Sequence, residues 1–357
     1  ATMDGYAVRA LDTFGASKLS PVTLRVVRLE GGFALREGEA VEIATGAPLP
    51  KGSDAVVPYE DTKRVDDVIE VYRPIPKLGN VSIKGEDVRR GELIGERGRI
   101  VQAWDLGVLA SIGVKKVKVV RKPKVALFSI GNELIDLDEA DKPLEDKIIN
   151  SSRFVLKSLL ENIGAEVSYK GILPDDPLVI YKAILNSLNN YDVVVTTGGV
   201  SIGKRDKTVE AVKRLNPELL IRGLAIRPGK PTSLCVVNRK LIVMLSGYPV
   251  ASSIGFEALL KPVLERLMGA RSSPIPKVKG VLTRKLAAPV NVRSYVRVRV
   301  FRRGKEIFIE PLAVTGSGIL STLTKGNGIL VVPEDVEGYD EGEEVEVVLL
   351  RGIEEVE

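Results

Sequence analysis

Between residues 123 and 269 the chain repeats one unit, a short apolar run followed by a stretch with helical spacing, and this alternation limits the fold more than any other feature. "KVALFSIG" is an unbroken apolar run of strand length. "NSSRFVLKSLLENIG" opens on capping residues and sets Val155, Leu159, Leu160 and Ile163 on one face. "AEVSYKGIL" is a strand again, "PLVIYKAILNSLNN" a helix with proline in its first turn, "YDVVVTTGG" a strand and "DKTVEAVKRL" a helix. "LLIRGLAI", "SLCVV" and "LIVMLSG" follow as strands before a long helix, "PVASSIGFEALLKPVLERLMG". Strands covered on both faces read as continuous apolar runs, whereas half-buried strands alternate. The spacing therefore predicts a doubly wound parallel α/β domain with helices on both faces of the sheet.

The flanks follow a different rhythm. Residues 20–83 carry short alternating runs, "TLRVVRL", "EAVEIAT", "DAVVPYE" and "VIEVYRPI", punctuated by "APLPKGSD". They read as a small β-rich lobe. A linking stretch follows, in which "VQAWDLGVLASIG" has helical spacing and ends on Gly113, a glycine placed to terminate a helix. Beyond "SSPIPK" (272–277), "SYVRVRVFRRGKEIFIEPL" alternates around a turn and "NGILVVPEDVEGYDEGEEVEVVLL" adds at least two strands. The expected division is thus 1–19 with 84–120, 20–83, 121–271 and 272–357. The chain lacks an initiator Met and shows no basic stretch followed by an apolar core. We expect upstream residues to be missing, no secretory signal, and a cytoplasmic protein.

Two scarcities narrow the chemistry. There is no histidine, and Cys235, inside the apolar "SLCVV", is the only cysteine. Imidazole-based triads, His or Cys zinc sites and disulfides are excluded. Proton transfer is left to carboxylates, Lys, Tyr or water, and a bound metal should be a hard ion on oxygen ligands, Mg²⁺ first. The net charge of +5 is spread along the chain, and its basic clusters lack interleaved aromatics, so no nucleic-acid surface is expected. No apolar run approaches the ~20 residues of a membrane span.

In open parallel sheets, ligands sit beyond the carboxyl ends of the strands. Here those ends carry Gly131-Asn132-Glu133, Pro174-Asp175-Asp176, Gly198-Gly199 through Asp206, Arg227-Pro228-Gly229-Lys230-Pro231 and Ser246-Gly247-Tyr248-Pro249. Singly, each has a plain structural reading. Asp206 suits a helix N-cap, Asp175 or Asp176 suits the helix at Pro177, and paired glycines suit a positive-φ turn. Together they put carboxylates, a glycine cradle and cations on one rim, the equipment for a phosphate-bearing ligand with Mg²⁺ on Glu133, Asp175 and Asp206. "TTGGVSIGKRD" has the spacing of a P-loop from Gly198 to Lys204, but Arg205 stands where that motif needs a hydroxyl for Mg²⁺. It reads as another kind of phosphate cradle, with backbone N–H groups of Gly199 to Gly203 facing phosphate oxygens.

Taken in order, "MDGYAV", "IATGAPLPKGSDAVV", "KGEDVRRGE", "FSIGNEL", "DDP", "TTGGVSIGKRD", "IRPGKP" and "LSGYPVA" resemble the molybdopterin molybdenumtransferases, the MoeA proteins and the E domains of plant and animal homologues. The resemblance spans nearly the whole chain. It implies an elongated four-domain homodimer, with a central domain like molybdopterin adenylyltransferase and a β-barrel-like last domain. It implies a reaction in which adenylylated molybdopterin and molybdate, with Mg²⁺, yield molybdenum cofactor and AMP. An upstream adenylyltransferase and recipient molybdo- or tungsto-enzymes are the further implied partners.

Residue by residue, Glu133, Asp175 and Asp206 match the family's acidic residues for metal and adenylylated substrate. Gly198, Gly199, Ser201 and Gly203 match the phosphate loop. Arg227, Lys230 and Pro231 match the segment that handles molybdate, and Arg297 and Ser317 match two further oxyanion-pocket residues. Ser246 is counted with the substrate-binding set. Asp4, Thr45 and Asp87 match residues of the first domains implicated in activity, expected to reach a neighbouring subunit's site. Three positions depart from the pattern: Gly223 replaces a frequent Lys, Tyr248 a usual Asn, and Ala251 a Ser of some relatives. Two rival readings are an adenylyltransferase-like nucleotide enzyme, which has no use for the flanking β domains, and a scaffold that kept the fold, which has no use for Glu133, Asp175, Asp206 and Lys230.

Overall fold

The alternating runs of the N-terminal third pair into one sheet. In the computed structural model, which describes residues 1–28, 34–139, 146–200, 206–270, 275–313 and 316–356, the chain forms two units, Ala1–Ile94 and Gly95–Glu357. In the first unit the strands are β1 (Gly5–Val8), β2 (Val22–Val26), β3 (Glu39–Ile43), β4 (Ala55–Pro58), β5 (Thr62–Val65) and β6 (Val68–Val71), in the order β4-β1-β3-β2-β6-β5. Only β2 and β3 run parallel. Alternate residues such as Tyr6, Val8, Leu24, Ala40, Val57, Ile69 and Val71 point into one core.

The second unit opens with α1 (Ala103–Ser111), started by a reciprocal capping box between Gln102 and Asp105 and followed by Gly113 at φ 80°. The α/β region then runs β7 (Lys124–Ile130), β8 (Leu134–Ile135), β9 (Ile148–Ile149), α2 (Ser152–Asn162), β10 (Glu166–Leu173), α3 (Pro177–Ser187), β11 (Val193–Thr197), α4 (Lys207–Lys213), β12 (Leu219–Ile221), β13 (Ile226–Arg227), β14 (Ser233–Val237), β15 (Lys240–Leu245), α5 (Pro249–Gly255) and α6 (Lys261–Leu267). The sheet order is β10-β7-β11-β15-β14-β12, and the first four strands are parallel. Ala126, Phe128, Val194, Ile242 and Met244 face α3 and α4, while Val125, Leu127, Val195, Val243 and Leu245 face α2 and the helix after β15. The sheet is doubly wound, as the alternation predicts. Between α5 and α6, Phe256–Leu260 form a π turn immediately before Pro262, which has no N–H for the i−4 ladder.

Two strands depart from the expected parallel arrangement. β14 runs antiparallel to both neighbours, because it is joined to β15 by Asn238 and Arg239 at φ 50° and 61°, a tight hairpin. A parallel neighbour would need a crossover of a dozen or more residues. The run "LLIRGLAI" is not one strand. It breaks at Gly223 (φ 70°), so that β12 stays in the α/β sheet while β13 pairs with the C-terminal region. The turn from Arg227 to Lys230 therefore leaves the seam between two sheets rather than a strand end of the central sheet.

The C-terminal region comprises β16 (Lys277–Leu282), β17 (Leu286–Ala287), β18 (Arg293–Arg303), β19 (Glu306–Ala313), α7 (Ser321–Lys325), β20 (Gly328–Val332), β21 (Gly338–Tyr339), β22 (Glu344–Leu349) and β23 (Glu354–Glu355). The path β18-β19-β16-β22-β20 returns to β18, closing a five-stranded barrel around Val296, Val298, Val300, Ile309, Leu330 and Val347. Long β18 also carries β13 on its edge.

Candidate functional site

Parallel register sets the strand ends level. Thr197 of β11 stands opposite both Ser129 of β7 and Leu245 of β15, so the segments that follow emerge at one rim. There the main-chain N–H of Asn132 donates to Asp175 Oδ2 at 3.1 Å, and that of Asp175 donates to Asn132 Oδ1 at 3.3 Å. Lys147 Nζ donates to the Asn132 carbonyl at 2.6 Å. The Glu133 carboxylate folds back over Gly131, where a Cβ would come within 2.6 Å of its Oε1. Asp176, by contrast, is a helix cap, accepting from the N–H groups of Leu178 and Val179.

Beneath the rim, on the α2 face, the buried hydroxyls of Thr197 and Ser129, Asn150, the Tyr169 hydroxyl and Asp136 form a connected hydrogen-bonded chain, with Arg153 paired to Asp136 at 3.1 Å. Burial pushes the Tyr169 hydroxyl pKa up. With these groups satisfied, the chain stiffens the base of the rim.

Gly198 and Gly199 hold left-handed conformations, φ 83° and 62°, at a place where side chains have no room. A Cβ on Gly198 would lie 2.2 Å from the Ile130 carbonyl oxygen, and one on Gly199 2.5 Å from Thr208 Oγ1. The turn after β15 interlocks with them, since a Cβ on Gly247 would be 3.3 Å from Gly198 Cα. Ser246 is buried and accepts from the Tyr248 N–H at 3.4 Å. Ser201 and Gly203, the other two residues expected in the phosphate loop, lie outside the described residues.

A cavity of about 420 Å³ is lined by Asp206, Arg222, Gly223, Leu224, Ala225, Lys230, Pro231 and Ser233. Its size falls within the range of small-molecule sites. Asp206 has two placements at once, because its Oδ1 caps α4 by accepting from Val209 N–H at 2.8 Å while the residue lines the cavity wall. The rest of the lining is clipped together. Leu224 N–H donates to the Lys230 carbonyl at 3.0 Å, Gly223 N–H to Ser233 Oγ at 3.0 Å, and Ser233 Oγ to the Pro231 carbonyl at 2.9 Å. One carboxylate thus shares a cavity with two cations, Arg222 and Lys230. Arg222 and Ser233 are absent from the sequence reading, and the only local signal for Arg222 is its place beside the glycine at which the chain changes sheets.

The structure therefore gathers Asp206, Lys230 and Pro231 in one cavity and joins Glu133 to Asp175 through Asn132 elsewhere on the rim. Arg227 lies on β13, paired with Ser294 of the barrel. Among the described residues no three His, Cys, Asp or Glu side chains form a metal-holding group, so Glu133, Asp175 and Asp206 do not make a cage by themselves. In the barrel Arg297 is buried, donating from Nε to Thr322 Oγ1 at 3.2 Å and from Nη2 to the Gly316 carbonyl at 3.5 Å; desolvation lowers its pKa, yet a guanidinium stays charged. Ser317, half-buried, sits in the next turn and its carbonyl accepts from Val250 N–H at 3.1 Å. Burial pushes the Cys235 thiol up to about 12, which fits a structural residue and not a nucleophile. In the first unit, Thr45 N–H donates to Asp4 Oδ1 at 2.6 Å, which lowers the Asp4 pKa, and Asp87 lies exposed in a turn.

Three family models cover the chain in succession. Residues 1–113 match "MoeA N-terminal region (domain I and II)", residues 126–266 match "Probable molybdopterin binding domain", and residues 279–350 match "MoeA C-terminal region (domain IV)". A Methanocaldococcus jannaschii protein named for molybdopterin biosynthesis is 41% identical over 357 residues, covering 98% of this chain and 85% of its own. A molybdopterin molybdenumtransferase of Staphylococcus aureus is 31% identical over 352 residues, covering 97% and 83%. A crystal structure of a MoeA protein from Pyrococcus horikoshii superposes with a TM-score of 0.75 at 36% identity, over 99% of this chain and 87% of that one. A molybdopterin-binding α/β fold continued by a five-stranded barrel defines a transferase of molybdenum cofactor biosynthesis. The chain belongs to the MoeA family, the molybdopterin molybdenumtransferases. No described helix is long and apolar enough to cross a membrane.

Proposed function

We propose that the chain inserts molybdenum from molybdate into adenylylated molybdopterin, cleaving the adenylyl phosphoanhydride and releasing AMP with the finished cofactor. The observation that carries this reading is the cavity in which Asp206 shares walls with Arg222 and Lys230. The clip between residues 222–224 and 230–233 fixes the backbone that carries Arg222 and Lys230, and two cations in one cavity suit an anionic phosphate or tetrahedral oxyanion whose negative charge they would stabilise. Asp206, held by the first turn of α4, supplies a carboxylate to the same lining. Gly198 is buried with its N–H donated to the Leu245 carbonyl, and half-buried Gly199 is where the backbone reaches the rim that phosphate oxygens would approach.

Arg227, Arg297, Ser246 and Ser317 are proposed for the oxyanion pocket, with Ser201 and Gly203 for the phosphate loop. Asp4, Thr45 and Asp87 are proposed to complete the site of a partner subunit in a homodimer, within an organisation of four domains divided at 1–19 with 84–120, 20–83, 121–271 and 272–357. Mg²⁺ takes few protein ligands and keeps waters or phosphate oxygens for the rest of its shell. Carboxylates at Glu133, Asp175 and Asp206, dispersed along the rim, fit an ion that arrives on the substrate's phosphates better than one held in advance. When bound, it would neutralise phosphate charge.

The test is a single turnover with adenylylated molybdopterin, molybdate and Mg²⁺, following AMP release and metal incorporation together. Molybdate-dependent AMP release that yields cofactor and collapses in Asp206→Ala supports the transferase. AMP release indifferent to molybdate points to a nucleotide hydrolase, and folded protein without turnover points to a scaffold. Tungstate in a parallel arm separates the two isosteric oxyanions.

A further inference from the structure

The turn after β15 does more than meet the glycine cradle. Tyr248, 62% exposed, precedes α5 and gives it no side-chain cap. The first turn of a helix leaves N–H groups without intrahelical partners. One of them, at Val250, donates to the carbonyl of Ser317 in the barrel, at 3.1 Å. The next residue of that loop, Gly318, lies against the Tyr248 ring: a Cβ added there would stand 3.3 Å from Cδ1 and 3.6 Å from Cε1. The preceding one, Gly316, has its carbonyl on the buried Arg297 guanidinium. Three consecutive loop residues are thus tied down at backbone level, two of them by the turn that also interlocks Gly247 with Gly198.

We propose that Tyr248 is a positioning residue for the oxyanion pocket: its ring pins the 316–318 loop of the barrel to the glycine-lined rim and so fixes where Ser317 and Arg297 stand. The ring does not touch reacting atoms in this assignment; it acts through the loop. A flat ring packs on a bare Cα and leaves the Val250–Ser317 hydrogen bond undistorted, which explains why the contact falls on a glycine. The proposal rests on the transferase reading only for the identity of the oxyanion.

Full-length Tyr248→Ala should raise the KM for molybdate about tenfold, the scale of a lost coupling contact, with kcat within about twofold of wild type. Tyr248→Phe keeps the ring and should restore the wild-type KM. Gly318→Ala should raise KM on its own, and in the Tyr248→Ala background it should add nothing further. An unchanged KM in Tyr248→Ala, or effects of the two substitutions that simply multiply, overturns the proposal. Amide hydrogen exchange gives a readout independent of turnover. The Val250 amide should exchange faster in Tyr248→Ala and at the wild-type rate in Tyr248→Phe; unchanged exchange also overturns it. Wild-type protein that fails to turn over would instead sink the reaction assigned above, with the exchange experiment still deciding the role of Tyr248.

Discussion

Asn132 and Asp175 clasp each other through two reciprocal hydrogen bonds, each main-chain N–H donating to the other's side-chain oxygen. The carboxylate at the end of β10 is therefore oriented by the residue at the end of β7, its sheet neighbour. Asn132→Ala removes one of the two bonds. The main-chain N–H of Asp175 loses its side-chain acceptor, while the main-chain N–H of residue 132 still donates to Asp175 Oδ2, so the turn that carries the carboxylate is held from one side only. We expect kcat/KM to fall up to about tenfold, the worth of one hydrogen bond. Thermal melting should move little, because both turns are exposed. A variant with wild-type kcat/KM would show that the clasp has no part in the site.

Asp206 caps α4 and lines the cavity, and two substitutions separate these roles. Asn caps a helix about as well as Asp, whereas Ala costs about 1 kcal/mol of stability. Asp206→Asn should melt like the wild type yet lose about a hundredfold in turnover, the scale of one fixed electrostatic group. Asp206→Ala should lose both. Full turnover in Asp206→Asn would reduce the residue to a cap.

Arg222 forms no ion pair among the described residues and shares its cavity with Lys230. Its charge is therefore available to an anionic ligand. Titration of AMP into Arg222→Glu should give a Kd at least about tenfold weaker, and raised salt should narrow the gap from wild type. Arg222→Lys should bind nearly as the wild type does. Equal affinity in Arg222→Glu would remove the residue from the site.

At the opposite end of the sheet, Arg121 forks onto Asp192 at 2.6 and 2.7 Å, and Lys124 N–H adds a third bond. The side-chain hydrogen bonds from Arg121 hold the Asp192 carboxyl at about 2, below its ordinary 3.8. A depressed carboxylate pKa gives stability that is present above the unfolded value and is lost as pH falls through the folded one. Asp192→Asn should thus melt lower than the wild type near neutral pH, with the difference closing between about pH 4 and pH 2. Arg121 is mostly exposed, so solvent screening keeps the effect to a few degrees. A difference that persists at the acid end would mean that packing, not charge, is responsible.

Much of this architecture could be read from spacing. The continuous run at 124–130 and the apolar faces of α2 and α3 are local patterns, and they place a doubly wound sheet without further information. The direction of β14 was also present in the sequence, because Asn238 and Arg239 leave room for a hairpin only. The break in "LLIRGLAI" was not. Ile226 is as apolar as its neighbours, and whether it joins the α/β sheet or the barrel depends on β18, which lies far along the chain.

The sequence by itself determined most of the elements that form, which strands are buried on both faces, that histidine chemistry is excluded, and which residues follow the ends of β7, β10, β11 and β15. These follow from periodicity, capping and residue chemistry within a few residues of each position. Only the tertiary structure decided that Asp206 lines one cavity with Arg222 and Lys230, that Glu133 and Asp175 are not in that lining, and that Tyr248 meets a barrel glycine. The reason is that side chains distant in sequence meet through sheet order and the direction in which strands leave a seam, and neither is encoded in any single window of the chain.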